Sequence, residues 1–261
     1  MKVSELVGKR KIDLNVDIGE GFSNDLALLD FATSANVCCG SHAGSEEITL
    51  EAAARCRERN VRIGAHPGYP DRESMGRVSL LTGGHERDYL RSLFDQVEWF
   101  TSAIGATYLK PHGGFYNDTA IVLPADWEWS QRKQPLATRY ETSGLFLAQY
   151  PGMQSLMMLL RIHHLPLMGL GETSHRVLAE RAGQPLIREG FADRAYNADG
   201  TLVPRGEPGS VLKEMGAVRE QVLRLAPFVD SICLHGDTPD CVEFAELVRK
   251  TLEDEGFEVA A

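Results

Sequence analysis

The sequence predicts an α/β fold in which parallel strands are joined by crossover helices. Two observations carry this expectation. Short apolar, β-branched runs alternate with longer stretches of helical period along the chain, and ionisable residues recur where those runs end. With 261 residues there is room for one large α/β domain, taken as 1–261.

Seven strands are expected, at 11–17 (KIDLNVD), 35–40 (ANVCCG), 61–66 (VRIGAH), 107–112 (TYLKPH), 166–171 (PLMGLG), 185–190 (PLIREG) and 231–236 (SICLHG). The stretch SEEITLEAAARCRERN reads as a helix capped by Ser45, with Glu46 and Glu47 on the positive end of its dipole and Ile48, Ala52 and Cys56 on the buried stripe. In ERDYLRSLFDQVEWFTSAIG the stripe is Leu90, Phe94, Val97 and Ile104. The last helix is expected to begin with Thr238 as N-cap and Pro239 in its first position. Residues 118–137, with Trp127 and Trp129 between prolines, lack regular period and suit a lid or an interface segment.

Composition narrows the function classes. A formal net charge of -10 argues against a nucleic-acid partner, which needs a basic face. No apolar run approaches the roughly 20 residues that span a bilayer, and MKVSELVGKR lacks the apolar core of a secretory signal, so a cytoplasmic protein is expected. Five cysteines, none in a CxxC pair, suggest small buried hydrophobes rather than a disulfide framework or zinc knuckle.

The candidate site comes from comparing strand ends. Asp17 and Glu20 follow the first strand, His42 the second, His66 the third, Lys110 and His112 the fourth, Glu172 and His175 the fifth, Asp193 and Arg194 the sixth, His235 and Asp237 the seventh. In parallel α/β folds the carboxyl ends of the strands gather at one pole, where ligands bind. His42, His66, His112 and His235 each have a glycine one or two residues on, which is expected to let backbone approach a ligand. His85, His163 and His164 read as structural or solvent-facing.

Acids with several histidines suit two tasks, holding a divalent metal or moving protons, and the spacing does not choose between them. Lys110 and Arg194 are expected to face a carboxylate or phosphate. There is no P-loop, no GxSxG elbow and no HExxH run, and Cys38 and Cys39 read as core strand residues rather than nucleophiles.

At DLNVDIGEG, TSANVCCGSHAG, IGAHPGYPD, LKPHGGFYN, EGFADRAYNADGTLVPR and CLHGDTP the chain closely resembles the LamB/YcsF family, with the motifs in family order from residue 13 to residue 239. The resemblance implies a seven-stranded, distorted (β/α) barrel like that of polysaccharide deacetylases. It also implies ATP-dependent opening of 5-oxoproline to glutamate, within a 5-oxoprolinase whose subunits B and C accompany this chain. Carried over by position, the catalytic set is Asp17, Glu20, His66, Lys110, His112, His235 and Asp237. The substrate-binding set is Asn15, Asn36, His42, Asp193 and Arg194, and the candidates for a divalent metal are Asp17, His42 and His66. In the leading reading His66 or His112 activates water. The cofactor implied is ATP, the substrate a small anionic lactam, and a homo-oligomer is compatible with the sequence. The chain departs from the family pattern in a shortened segment after Glu20, in Ser41 and Ser45, in KPHGGFYN and across 118–150. Two rival readings are a metal-dependent deacetylase or amidase working without ATP, and a binding subunit without chemistry.

Overall fold

The computed structural model describes residues 10–79, 86–123, 150–238 and 240–261. Strand β1 (Lys11–Ile18) pairs on one side with β2 (Ser34–Cys38), which pairs with β3 (Arg62–His66). On its other side β1 meets β6 (Ser231–Leu234), followed outward by β5 (Leu186–Phe191) and β4 (Leu167–Gly169), every pairing being parallel. Leu109 closes the ring, bridging Ala65 of β3 on one side and Leu167 of β4 on the other. Its N–H donates to Pro166 at 2.9 Å and its carbonyl accepts from Met168 at 2.9 Å, while Lys110 N–H donates to Ala65 at 3.0 Å. The result is a distorted (β/α) barrel of seven staves.

The stave expected at 107–112 is the shortest, because Pro111 has no N–H to continue the ladder and the chain turns at His112 into the next helix. The short strand β7 (Glu258–Val259) was not expected; it pairs with Lys11 and Ile12 outside the ring and is too short to show a period.

Side chains alternate across the barrel wall. Leu14, Val16 and Ile18 of β1 point outward into the core shared with Val218 and Val222 of α7 (Met215–Leu225) and Phe244 and Val248 of α8 (Cys241–Asp254). Leu109 and Leu167 join Leu93 and Val97 of α3 (Glu86–Ala103) and Leu156 and Leu160 of α5 (Pro151–His163) in a second core. Each such aliphatic side chain, fully buried, contributes roughly 1.5–3 kcal/mol. The alternate residues Asp13, Asn15 and Asp17 turn inward and bond to polar side chains of neighbouring staves. The barrel interior is therefore polar, and the apolar cores lie between barrel and helices.

Three helical expectations shift by a residue or two. In α2 (Glu46–Glu58) Ser45 does cap, accepting from Ile48 N–H, but the buried stripe is Thr49, Ala52, Ala53 and Cys56 while Ile48 is exposed. In α3 the buried residues are Leu93, Gln96, Val97 and Phe100, with Leu90, Phe94 and Ile104 only partly covered. Helix α8 starts at Cys241 with Asp240 at its N-cap position, and Thr238 makes no cap bond. Helices α1 (Asp25–Leu28), α4 (Gly113–Thr119) and α6 (Ser174–Ala182) follow β1, the Leu109 stave and β4. Trp127, Trp129 and His85 lie outside the described residues. Among the described residues no helix is long and apolar enough to cross a membrane.

Candidate active site

The inward side chains stack in layers from the closed end of the barrel to the open one. Asp13 lies deepest, accepting from Ser34 at 2.7 Å, from Thr33 at 2.6 Å and from Ser231 at 2.5 Å. Above it Asn15 accepts from Asn36 at 2.7 Å, and Asn36 in turn accepts from the Tyr108 hydroxyl at 2.7 Å. The next layer is ionic. Lys110 Nζ contacts Asp17 Oδ1 at 3.0 Å, Glu189 Oε1 at 2.7 Å and the Cys233 sulfur at 3.0 Å. Burial opposes the ammonium, yet Asp17, Cys233 and Glu189 together hold its pKa well above the usual lysine value. Burial likewise opposes the Asp17 carboxylate, and Lys110 followed by His66 keeps its pKa well below the ordinary range.

At the carboxyl ends of β2, β3 and the Leu109 stave three imidazoles meet. His42 and His112 stack with ring centroids 3.8 Å apart and planes within 5°, and His66 stands edge-on to both. His66 Nδ1 donates to the Lys110 carbonyl at 2.8 Å, and His112 Nε2 donates to the Met75 carbonyl at 2.8 Å. Glu20 Oε1 sits 3.2 Å from His112 Nδ1 and 3.4 Å from His42 Nε2. Burial opposes protonation of His42, but Cys38, 3.3 Å from its Nε2, and Glu20 push its pKa up to about 9. His112 is driven the other way, well below its usual value, by burial and by His42 stacked on it. The two stacked rings are thus driven in opposite directions.

His235 stands across the cavity. Its Nδ1 donates to Asp193 at 3.0 Å, which leaves Nε2 facing Asp17 at 3.7 Å. Burial lowers the His235 pKa, and Asp193 partly offsets that. At the rim Arg77 reaches Asp237 at 2.8 Å, and Arg205 contacts the same carboxylate oxygen. Burial and the neighbouring Arg77 bring the Arg205 pKa down to about 10. These groups enclose a cavity of about 460 Å³ lined among others by Asp17, Glu20, His66, His112, Arg205 and His235.

The motifs that build this pole decide the family. The family model described as LamB/YcsF family matches residues 12–122 and 153–261. The chain belongs to the LamB/YcsF family. It is 34% identical to the 5-oxoprolinase A chain of Pyrococcus abyssi, over 95% of this chain and 96% of that one. It is 37% identical to the 5-oxoprolinase A chain of Streptomyces avermitilis, over 96% and 99% respectively. A lactam utilization protein from Thermus thermophilus superposes with a TM-score of 0.72 at 27% identity, covering 96% of this chain and 99% of that chain.

Within this LamB/YcsF barrel the residues expected from sequence divide by depth. Asp17, Glu20, His66, Lys110, His112, Arg194, His235 and Asp237 line the cavity. Asn15 and Asn36 lie in the layer beneath, with their amides bonded to protein partners, because they occupy earlier inward positions on their strands. Asp193 lies off the cavity lining and holds His235 from behind. Lys110 and Arg194, expected to face an anion, are committed elsewhere: Lys110 to Asp17 and Glu189, and Arg194 to the Ser210 and Val203 carbonyls. His175 is buried against Thr119 and Leu170, and Glu172 is exposed. The glycines after the histidines serve protein packing: a Cβ on Gly68 would stand 2.6 Å from His42 Nδ1, and one on Gly113, at φ +52, would stand 2.5 Å from the Gly76 carbonyl.

Sequence reasoning missed Glu189, Arg77 and Arg205. A signal existed for two of them: Glu189 follows the inward alternation of PLIREGF, and Arg205 closes the motif DGTLVPR. For metal binding, three trios among the described residues bring donor atoms within 4.8 Å of one another: Asp17, His66, His112; Glu20, His42, His112; and Asp17, Cys233, His235. The trio Asp17, His42, His66 is not among them, since His42 Nε2 turns toward Cys38 and Glu20.

Proposed function

We propose that this chain hydrolyses the cyclic amide of a small anionic lactam, 5-oxoproline, as the A component of an ATP-dependent 5-oxoprolinase working with subunits B and C. The observation that carries the reading is the pairing, across one cavity, of an oriented histidine with a cationic rim. His235, tied through Nδ1 to the Asp193 carboxylate, has Nε2 free to take a proton from water, and that carboxylate steadies the imidazolium so formed, which the backbone carbonyls behind His66 and His112 do not. Arg77 and Arg205 share the single carboxylate of Asp237, so the rim carries net positive charge and fits a carboxylate or a phosphoryl group. ATP supplies activation of the amide oxygen, which makes the ring carbon electrophilic. His235 then accepts a proton from the water that adds to that carbon and returns it to the ring nitrogen as the C–N bond breaks, leaving an acyl phosphate that a second water hydrolyses to glutamate and phosphate. The lettered names of the two 5-oxoprolinase relatives support a multi-subunit assembly.

The test is reconstitution. Mixed with subunits B and C, ATP and 5-oxoproline, the chain should release glutamate, and omission of this chain should abolish release. Glutamate release that persists without this chain would overturn the reading; release without ATP would favour the rival, ATP-independent amidase.

A further inference from the structure

We infer that Asp17, His66 and His112, with Glu20 beside them, form a binding site for one divalent transition-metal ion. The argument begins with two backbone carbonyls. A carbonyl oxygen only accepts, so the Lys110 carbonyl at 2.8 Å fixes the proton of neutral His66 on Nδ1, and the Met75 carbonyl at 2.8 Å fixes that of neutral His112 on Nε2. Each ring then turns a bare lone pair inward, and the two bare nitrogens, His66 Nε2 and His112 Nδ1, stand 3.0 Å apart. No hydrogen bond joins two lone pairs.

Two carboxylates add to the convergence. Glu20 Oε1, buried and without a hydrogen-bond partner, lies 3.2 Å from His112 Nδ1, and Asp17 Oδ2 lies 3.5 Å from His66 Nε2. These separations have a geometric meaning. Donors held about 2.1 Å from one ion stand about 3.0 Å apart along an octahedral edge and about 3.4 Å apart along a tetrahedral one. The 3.0 Å between His66 Nε2 and His112 Nδ1 and the 3.5 Å between Asp17 Oδ2 and His66 Nε2 match such edges, and donor atoms of these three residues all lie within 4.8 Å of one another.

The surroundings meet the other requirements of such a site. Each imidazole has its outer nitrogen anchored, as metal-bound histidines do. His42 addresses Glu20 Oε1 from 3.4 Å and stacks on His112, steering both without joining the ligand set. All three donors line the cavity, so an ion there keeps a face open to substrate or water, the arrangement of a catalytic rather than a structural centre. Two imidazoles with one carboxylate suit Zn²⁺, Mn²⁺, Fe²⁺ or Co²⁺ rather than Mg²⁺ or Ca²⁺. The inference rests on donor geometry alone and holds whichever amide the cavity accepts.

The experiment is titration of chelator-stripped, full-length protein with Co²⁺, followed by visible ligand-field absorption, and with Zn²⁺, followed by calorimetry, both without substrate. One equivalent should bind. His66→Ala and His112→Ala should each weaken binding about a hundredfold or more, and Glu20→Gln and His42→Ala about tenfold or less, consistent with loss of a ligand against loss of a supporting contact. Ring ¹⁵N shifts of the wild-type protein should change on Zn²⁺ addition at Nε2 of His66 and Nδ1 of His112. Absence of stoichiometric binding, wild-type affinity in His112→Ala, or metal shifts on the opposite ring nitrogens would each overturn the proposal. The ¹⁵N measurement needs no variant, so a misfolded substitution leaves the test decisive.

Discussion

Asp193 holds His235 by both its side chain and its backbone: the imidazole Nδ1 donates at 3.0 Å and the backbone N–H at 3.2 Å, so ring and strand end move as one unit. Asp193 never touches the cavity, yet it decides which ring nitrogen does. Asp193→Asn is expected to permit the opposite tautomer and to lower turnover by about 10²–10⁴-fold with little change in KM. Steady-state glutamate release in the reconstituted system measures this, and wild-type turnover would remove His235 from its assigned role.

The rim arginines make a different prediction. Since Arg77 and Arg205 share Asp237, Arg205→Gln is expected to raise KM for the anionic substrate about tenfold or more while leaving thermal stability nearly unchanged. An unaltered KM places substrate elsewhere.

Lys110 is a stability element as well as a site residue. Lys110→Met leaves the Asp17 and Glu189 carboxylates buried without their cation and is expected to cost about 3–5 kcal/mol in urea denaturation. Adding Glu189→Gln should recover part of that loss, and a double variant no more stable than the single one would contradict the pairing.

The wall opposite Tyr108 admits no side chain. A Cβ on Gly64 would stand 2.2 Å from Tyr108 Cε2, and the ring is pinned by its hydroxyl on Asn36 at 2.7 Å with Arg62 lying over its face. Gly64→Ala is expected to cost about 1–3 kcal/mol through overpacking, and Tyr108→Leu in the same chain should relieve most of it. Equal denaturation midpoints for Gly64→Ala and wild type would refute the contact.

His175 sets an acid limit. Its Nδ1 accepts the Leu170 N–H at 3.2 Å, its Nε2 bonds Thr119 at 3.0 Å, and burial pushes its pKa down to about 3. Between pH 6.5 and 3 the unfolded histidine takes up a proton that the folded one refuses, so stability is lost as pH falls through that window. Relative to His175→Gln, the wild type should lose roughly 3 kcal/mol more between about pH 7 and pH 4. Parallel pH profiles for the two proteins would show the histidine protonated or exposed.

The residues themselves explain what the sequence disclosed. Helical spacing and β-branched runs located the strands because the outward faces are apolar, and ionisable residues at strand ends located the pole because parallel staves share one polarity. Depth was harder to read. DLNVD alternates as an exposed strand would, yet here the polar face of β1 fills a barrel interior, so Asn15 resembled a ligand contact and is a support. Arg194 and Lys110 resembled anion receptors because charge is visible in a sequence and the buried partners that consume it are not. The committed nitrogens of His66 and His112 depend on carbonyls of Lys110 and Met75, distant contacts with no trace in local composition.

Closure of the barrel through Leu109 has a dynamic consequence. Neighbouring strands elsewhere share runs of paired residues, whereas this stave meets each neighbour at one. Bonds from Thr107, Tyr108 and Lys110 hold it to β3, but only Leu109 joins it to the β4 side, so the amides of Leu109 and Met168 should exchange with deuterium ahead of those in β1, through opening cheaper than global unfolding. Because Lys110 and His112 ride on that seam, the chemical pole breathes where the wall is thinnest.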